Sequence, residues 1–165
     1  CRLASMSEAR RRSAKKLKLV DLVFRALRTQ GLEPLSGQRV VCDAQRGIGT
    51  AVDLVCTRGD ALVLIELKCG YSGERTLPAT RSGKAAKLRA PFASANDTIL
   101  HRHLAQLTAT VAMFARETET LARLSELGLK RVEAALLYAT NDNVELHALP
   151  QWWWKRGERL LHALA

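Results

Sequence analysis

The stretch from Thr50 to Lys68 constrains the fold more than any other part of the chain. Two apolar runs of strand length flank Gly59 and Asp60, a dipeptide favoured in two-residue hairpin turns. Such a turn sets Arg58 opposite Ala61 and Thr57 opposite Leu62, and counting outwards places Asp53 opposite Glu66. Cross-strand partners have Cβ atoms roughly 4.5–5.5 Å apart and share one face of the sheet. Side-chain alternation brings Lys68 to that face as well. A one-residue change in the turn would break this register.

Two like charges in direct opposition are destabilising unless something neutralises them. Val52, Leu54, Leu64, Ile65 and Leu67 around the pair are apolar, so a central strand pair with little access to water is expected. A hard divalent cation held by both carboxylates, Mg²⁺ or Mn²⁺, resolves the conflict. Lys68 beside it would orient or polarise a nucleophilic water, or stabilise charge developing on a phosphate. The competing arrangement is a plain hairpin with a solvated polar face, on which Glu66 and Lys68 are ion-paired.

The rest of the chain supplies a frame for this hairpin. Residues 7–30 read as a helix, with Ser7 as cap, Gly31 as stop and Leu19, Val20, Val23, Phe24, Ala26 and Leu27 at helical spacing. Strands are expected at 38–45, 50–57 and 61–69, punctuated by Gly47, Gly49 and Gly59. Residues 71–97 form a long polar segment, a length that inside a domain usually means function or disorder. A helix over 98–127 ends at Gly128, strands follow near 131–139 and 143–148, and a helix over about 152–164 closes the chain. The order α-β-β-β-α-β-β-α over 165 residues predicts a single α/β domain, a mixed central sheet flanked by helices.

Twenty-six Lys and Arg against sixteen Asp and Glu leave a formal net charge of +10. That excess favours a polyanionic partner, nucleic acid or an acidic membrane surface. Arg10, Arg11, Arg12, Lys15, Lys16 and Lys18 could grip phosphates, act as a nuclear-targeting patch or form a solvated helix face. Arg81, Lys84, Lys87 and Arg89 lie in the segment after Lys68, where Leu88, Pro91 and Phe92 could anchor a clamp on a substrate backbone. No apolar run reaches the roughly 18–20 residues of a membrane span, and no signal-peptide pattern is visible. Cys42, Cys56 and Cys69 sit in strand-like runs and, with Cys1, are expected as reduced residues of an intracellular protein, the three strand cysteines in its core. A chain that opens on Cys1 is expected to be a piece of a longer one.

The segment from Gly49 to Asp53, followed by the triplet Glu66, Leu67 and Lys68, resembles the PD-(D/E)XK nuclease superfamily, whose signature is an Asp on one strand and (D/E)-x-K on the next. The resemblance spans about residues 7–140 and implies a restriction-endonuclease-like core of order α-β-β-β-α-β. It also implies Mg²⁺- or Mn²⁺-dependent hydrolysis of nucleic-acid phosphodiesters, with DNA as substrate and RNA as the alternative. Asp53, Glu66 and the Leu67 backbone carbonyl would hold the metal, and Lys68 would assist the water. Gln106 falls where the lambda-exonuclease-like and RecB-type branches carry a Gln, although Thr110 stands where those branches have Tyr. A further acid is expected from the first helix, with Asp21 preferred over Glu8 unless Asp21 is a solvated helix residue. His103, three residues before Gln106 on one helix face, could contact substrate phosphate.

Two rival readings are a non-catalytic nucleic-acid-binding module on the same fold and a basic protein docking on acidic membranes or proteins. Zinc at His101 and His103 lacks any CxxC or HxxxH spacing. Trp152, Trp153 and Trp154 could stack on bases, but three consecutive aromatics cannot share a helix face, so at least one should pack inside. Arg58, Gly59 and Asp60 spell an adhesion tripeptide that a hairpin turn explains sufficiently.

Overall fold

In the computed structural model, residues 8–71 and 74–164 are described, with side chains of the first helix described from Lys18 onward. The side chains of Glu8 and of Arg10 to Lys16 therefore lie outside the described residues, as do Cys1 and Ser7.

The run Ala61–Cys69 (β3) is the middle strand of a five-stranded sheet. It is apolar without alternation because both of its faces are covered. Leu62 and Leu64 join one core with the helix Ile99–Phe114 (α2), whereas Ala61, Val63 and Ile65 join a second core with Leu27 of the helix Glu8–Thr29 (α1). Even-numbered positions of β3 thus face α2 and odd-numbered positions face α1. Strand Ile48–Arg58 (β2) pairs antiparallel with β3 in the expected register, from Arg58↔Ala61 to Leu54↔Ile65. Gly59 carries the turn at φ +59°, a conformation costly for other residues.

Beyond β2 lies the edge strand Glu33–Asp43 (β1), and on the other side β3 pairs parallel with Arg131–Ala139 (β6), which pairs antiparallel with Val144–Ala148 (β7). The sheet order is β1-β2-β3-β6-β7, a mixed sheet flanked by helices. Between β3 and β6 the chain forms a small hairpin of Thr80–Arg81 (β4) and Lys84–Ala85 (β5), then α2, then the helix Thr118–Glu126 (α3). Gln151–Trp154 (α4) and Gly157–Leu164 (α5) end the order. Among the described residues no helix is long and apolar enough to cross a membrane.

Four expectations need correction. Strand β1 starts at Glu33 rather than 38, because an edge strand tolerates Pro34, a register shift between Pro34 and Ser36, and Gln38 at φ +49°. The helix expected over 98–127 breaks after Phe114, where Arg116 is tied to Asp43 and Glu158 and Glu117 to Arg39. The closing helix is likewise two pieces, divided at Lys155 and Arg156, and Gly157 at the start of α5 lets that helix approach α2; a Cβ there would stand 2.8 Å from that of Ala112. Of the strand cysteines only Cys56 is in the core, its thiol pushed up to about 11 by burial. Cys42 on the edge strand and Cys69 at the end of β3 are exposed.

Candidate active site

The even-numbered face of β3 continues past Leu64 to Glu66 and Lys68, which turns both toward α2. Leu104 and Leu107 seat α2 on that face, and Gln106 between them reaches the strand. Three contacts close a triangle: Lys68 Nζ donates to Glu66 Oε1 at 2.7 Å and to Gln106 Oε1 at 2.9 Å, and Gln106 Nε2 donates to Glu66 Oε1 at 2.7 Å. Glu66 is only 5% exposed, so the polar face of the hairpin is not solvated. Its second oxygen, Oε2, is buried with no hydrogen-bond partner among the described residues.

Asp53 sits just beyond the last paired position of the β2–β3 ladder, opposite the irregular stretch of β1 around Gln38. Its Oδ2 accepts a hydrogen bond from the Leu67 backbone N–H at 2.8 Å, which ties the carboxylate to β3 and uses one of its two oxygens. Burial pushes the Glu66 carboxyl above its ordinary value; the hydrogen bond and charge of Lys68 pull it down, and the charge of Asp53 pushes it up again. A protonated or cation-bound state is favoured wherever a carboxylate is buried with incomplete pairing.

Four of the expected residues, Asp53, Glu66, Lys68 and Gln106, are thus brought to one place. Asp21 is not among them. It lies on the solvent side of α1, its side chain 64% exposed, 2.5 Å from the Arg25 guanidinium, while Leu19 and Val23 two positions away take the inward face. Helix α1 also covers the odd-numbered face of β3, across the sheet from Glu66. Among the described residues no three His, Cys, Asp or Glu side chains cluster closely enough to hold a metal ion. Asp53 and Glu66 are, among the described residues, a pair without a third acid.

His103 lies next to the triangle but differs from a phosphate-binding cation. Its Nδ1 meets the Tyr138 hydroxyl at 2.7 Å, and its ring packs edge-on against Tyr71 with centroids 4.8 Å apart. Burial, aided by the nearby Lys68 charge, pushes it down to about 4, so the imidazole is neutral near pH 7. Tyr138 pairs with Lys68 across the parallel β3–β6 ladder, and Arg75 lies over its ring at 4.4 Å. Tyr138 was not legible as a site neighbour, because only the crossover pairing of β6 with β3 brings it there, and Tyr71 and Arg75 pack on it in turn.

The basic segment is pinned at its far end, where Phe92 is buried and stacks on Trp153 at 4.2 Å. Within it Arg81 is exposed and 3.8 Å from Asp97, Lys87 donates to Asn96 Oδ1 at 2.7 Å, and Lys84 and Arg89 are exposed. None of the four is hydrogen-bonded or ion-paired to the Glu66 triangle among the described residues. An open groove of about 390 Å³ between the start of β2, α2 and α5 reaches Gln106. A larger cavity, about 840 Å³, lies elsewhere, around Val63, Glu133 and Trp154, and is lined by none of the candidate residues. Compared with known proteins, the sequence matches no family model and no curated relative.

Proposed function

We propose that this chain is a Mg²⁺- or Mn²⁺-dependent nuclease of the PD-(D/E)XK type, with a restriction-endonuclease-like core, hydrolysing DNA phosphodiester bonds at Asp53, Glu66 and Lys68. The observation that carries the reading is the orphaned Oε2 of Glu66, a buried carboxylate oxygen beside a second carboxylate on the neighbouring strand. A buried polar atom without a partner costs free energy that a ligand can recover. An all-oxygen donor pair suits a hard cation, so the residues present fit such an ion. Glu66 Oε2, Asp53 and, by the resemblance, the Leu67 carbonyl would hold it. When bound, a divalent cation lowers the pKa of a coordinated water and offsets charge on a phosphate.

The chain's own groups do the rest. Lys68 holds an ammonium beside Glu66, able to orient a water or to stabilise negative charge in a low-dielectric setting. Gln106 fixes both partners of that pair, keeping the ammonium from swinging into solvent. Exposed cations at Arg81, Lys84, Lys87 and Arg89 supply phosphate contacts that carry no sequence preference. The net charge of +10 supports a nucleic-acid substrate, and DNA in particular follows from the family resemblance.

A second reading, a catalytically inactive nucleic-acid-binding module, is favoured by one observation: Glu66 Oε1 is already held by both Lys68 and Gln106, so one oxygen of the carboxylate has its partners within the chain. A cleavage assay separates the two. Linear, closed-circular and branched DNA are incubated with Mg²⁺ or Mn²⁺ and with chelator, using wild type, Asp53→Asn and Glu66→Gln. The nuclease reading expects metal-dependent cleavage that falls by at least about 100-fold in either variant, more than loss of an outer partner of a metal ligand costs, with DNA binding retained. Digestion restricted to linear DNA marks an exonuclease, and nicking of closed circles an endonuclease. Equal inertness of wild type and variants, with binding intact, gives the module reading.

A further inference from the structure

Away from the Glu66 triangle, the end of the basic segment, the start of α2 and α4 enclose an open groove of about 470 Å³. Its lining includes Lys87, Asn96, His101, Trp152 and Arg156, and no Asp or Glu. Many arginines elsewhere in the molecule are matched, Arg75 with Glu145, Arg102 with Asp97, Arg116 with Asp43 and Glu158, Arg131 with Asp60. Among the described residues neither Lys87 nor Arg156 lies within ion-pair distance of a carboxylate.

The aromatic in this groove is displayed rather than buried. Trp153 is fully enclosed and clamped on Phe92, and it fixes the backbone of α4 so that Trp152, ring centroid 4.8 Å away, stands 39% exposed. The Arg156 guanidinium lies over the Trp152 ring 4.8 Å from its centroid, a flat cation on one face, and its Nη1 donates to the Trp152 carbonyl at 3.0 Å. Polar groups for a base edge are also present. His101 Nδ1 meets the Asn96 carbonyl at 2.8 Å; a carbonyl only accepts, so Nδ1 carries the proton and Nε2 is left as an acceptor. Asn96 Oδ1 is taken by Lys87, which leaves its amide hydrogens as donors.

We infer that this groove is a binding site for single-stranded DNA, with an unpaired base stacked on Trp152 and adjoining phosphates held by Lys87 and Arg156. Stacked duplex bases present no face to an external ring, whereas unpaired bases do, and such stacking tolerates any base. His101 precedes Gln106 by five residues on α2, about 7.5 Å along the helix axis and roughly 140° around it, so the groove and the triangle lie on different faces of that helix. The inference shares with the proposed function its nucleic-acid partner and none of its chemistry.

The test is fluorescence anisotropy in chelator, which reads binding without cleavage. The probes are labelled oligo(dT) of about 12 nucleotides, within the size of one single-strand site, and a blunt duplex of equal length. Trp152→Ala is expected to weaken oligo(dT) binding about tenfold and duplex binding less than about twofold, while Trp152→Phe retains most of the affinity. Arg156→Gln, a surface change read with unaltered melting temperature, is expected to lower the slope of log affinity against log salt by about one. Unchanged oligo(dT) binding in Trp152→Ala, equal loss on both probes, or no oligo(dT) binding by wild type would overturn the inference. A protein that binds through Trp152 and never cleaves keeps this site and loses the nuclease reading. One that cleaves while ignoring the Trp152 substitution does the reverse.

Discussion

Two buried carboxylates stand at different places in the sheet, and the chain treats them differently. Asp43, at the end of β1, accepts from the Arg46 side chain at 2.7 Å and backbone at 3.2 Å, and Arg116 joins from the far end of α2. Burial alone would push its carboxyl up, but the hydrogen bonds and charges of the two arginines hold it below the usual carboxylate range. Both oxygens are used. Glu66 is equally shielded from water, yet one oxygen serves both Lys68 and Gln106 while the other has no partner, and its carboxyl is pushed up. The first is a finished ion cluster that fastens the edge of the sheet to α2 and, through Glu158, to α5. The second has an open valence. A chain rich enough in arginine to saturate Asp43 leaves Glu66 incomplete, and incomplete pairing of a buried acid is a mark of ligand binding rather than of stability.

Exchanging each carboxyl for its amide should split these roles. Asp43→Asn removes the charge that Arg46 and Arg116 share, and the melting temperature is expected to fall on the order of 5 °C or more. Glu66→Gln removes a buried charge that was poorly compensated, so the melting temperature should move by no more than about half as much, while cleavage is lost. Calorimetry on the two variants decides. A silent Asp43→Asn together with a collapsed Glu66→Gln would invert the comparison.

Acid should loosen the Glu66 end first. His103, beside Lys68, is held down to about 4, whereas an unfolded His titrates near 6.5. Between these values the unfolded chain binds a proton that the folded one refuses, so stability falls as pH drops from about 6.5 toward 4. At about 1.4 kcal/mol for each pH unit, the loss reaches at most roughly 3 kcal/mol. Asp43 has a lowered carboxyl, so its contribution persists until the pH falls below about 3.8, the ordinary Asp value. Urea melts at pH 7 and pH 4.5 should therefore differ in wild type and converge in His103→Gln. The same gap in both proteins would place the acid-sensitive group elsewhere.

What was legible in the sequence follows from locality. The β2–β3 register could be counted from Gly59 and Asp60 because a two-residue turn leaves no freedom, and in the sheet Arg58 pairs with Ala61 through to Leu54 with Ile65. The bounds of β3 and β6 were likewise readable, since strands covered on both faces are continuous apolar runs. Gln106 was expected at the site only through the family resemblance; Leu104 and Leu107, buried on either side of it, are what turn it toward Glu66. Features set by distant partners were not readable. The break after Phe114 depends on Arg116 meeting residues 73 and 42 positions away. The side of α1 that Asp21 occupies depends on Arg25 and on which sheet face the helix covers. Tyr138 beside Lys68 needs a parallel pairing made across a crossover.

The smallest effect is also the most direct measure of the open valence. A ligand that binds only the folded state stabilises it by RT ln(1 + [L]/Kd), about 1.4 kcal/mol at ten times Kd. For a chain of this size that corresponds to about 3–6 °C in melting temperature. Mn²⁺ titrated into wild type should raise the melting temperature by that amount, and into Asp43→Asn by the same increment from a lower start, because the Asp43 cluster has no oxygen left to offer. Glu66→Gln and Asp53→Asn should show no increment, each having lost a carboxylate of the pair. An increment that survives in both of those variants would mean that the ion binds elsewhere. Glu66 Oε2 would then be an unsatisfied atom with no ligand to explain it.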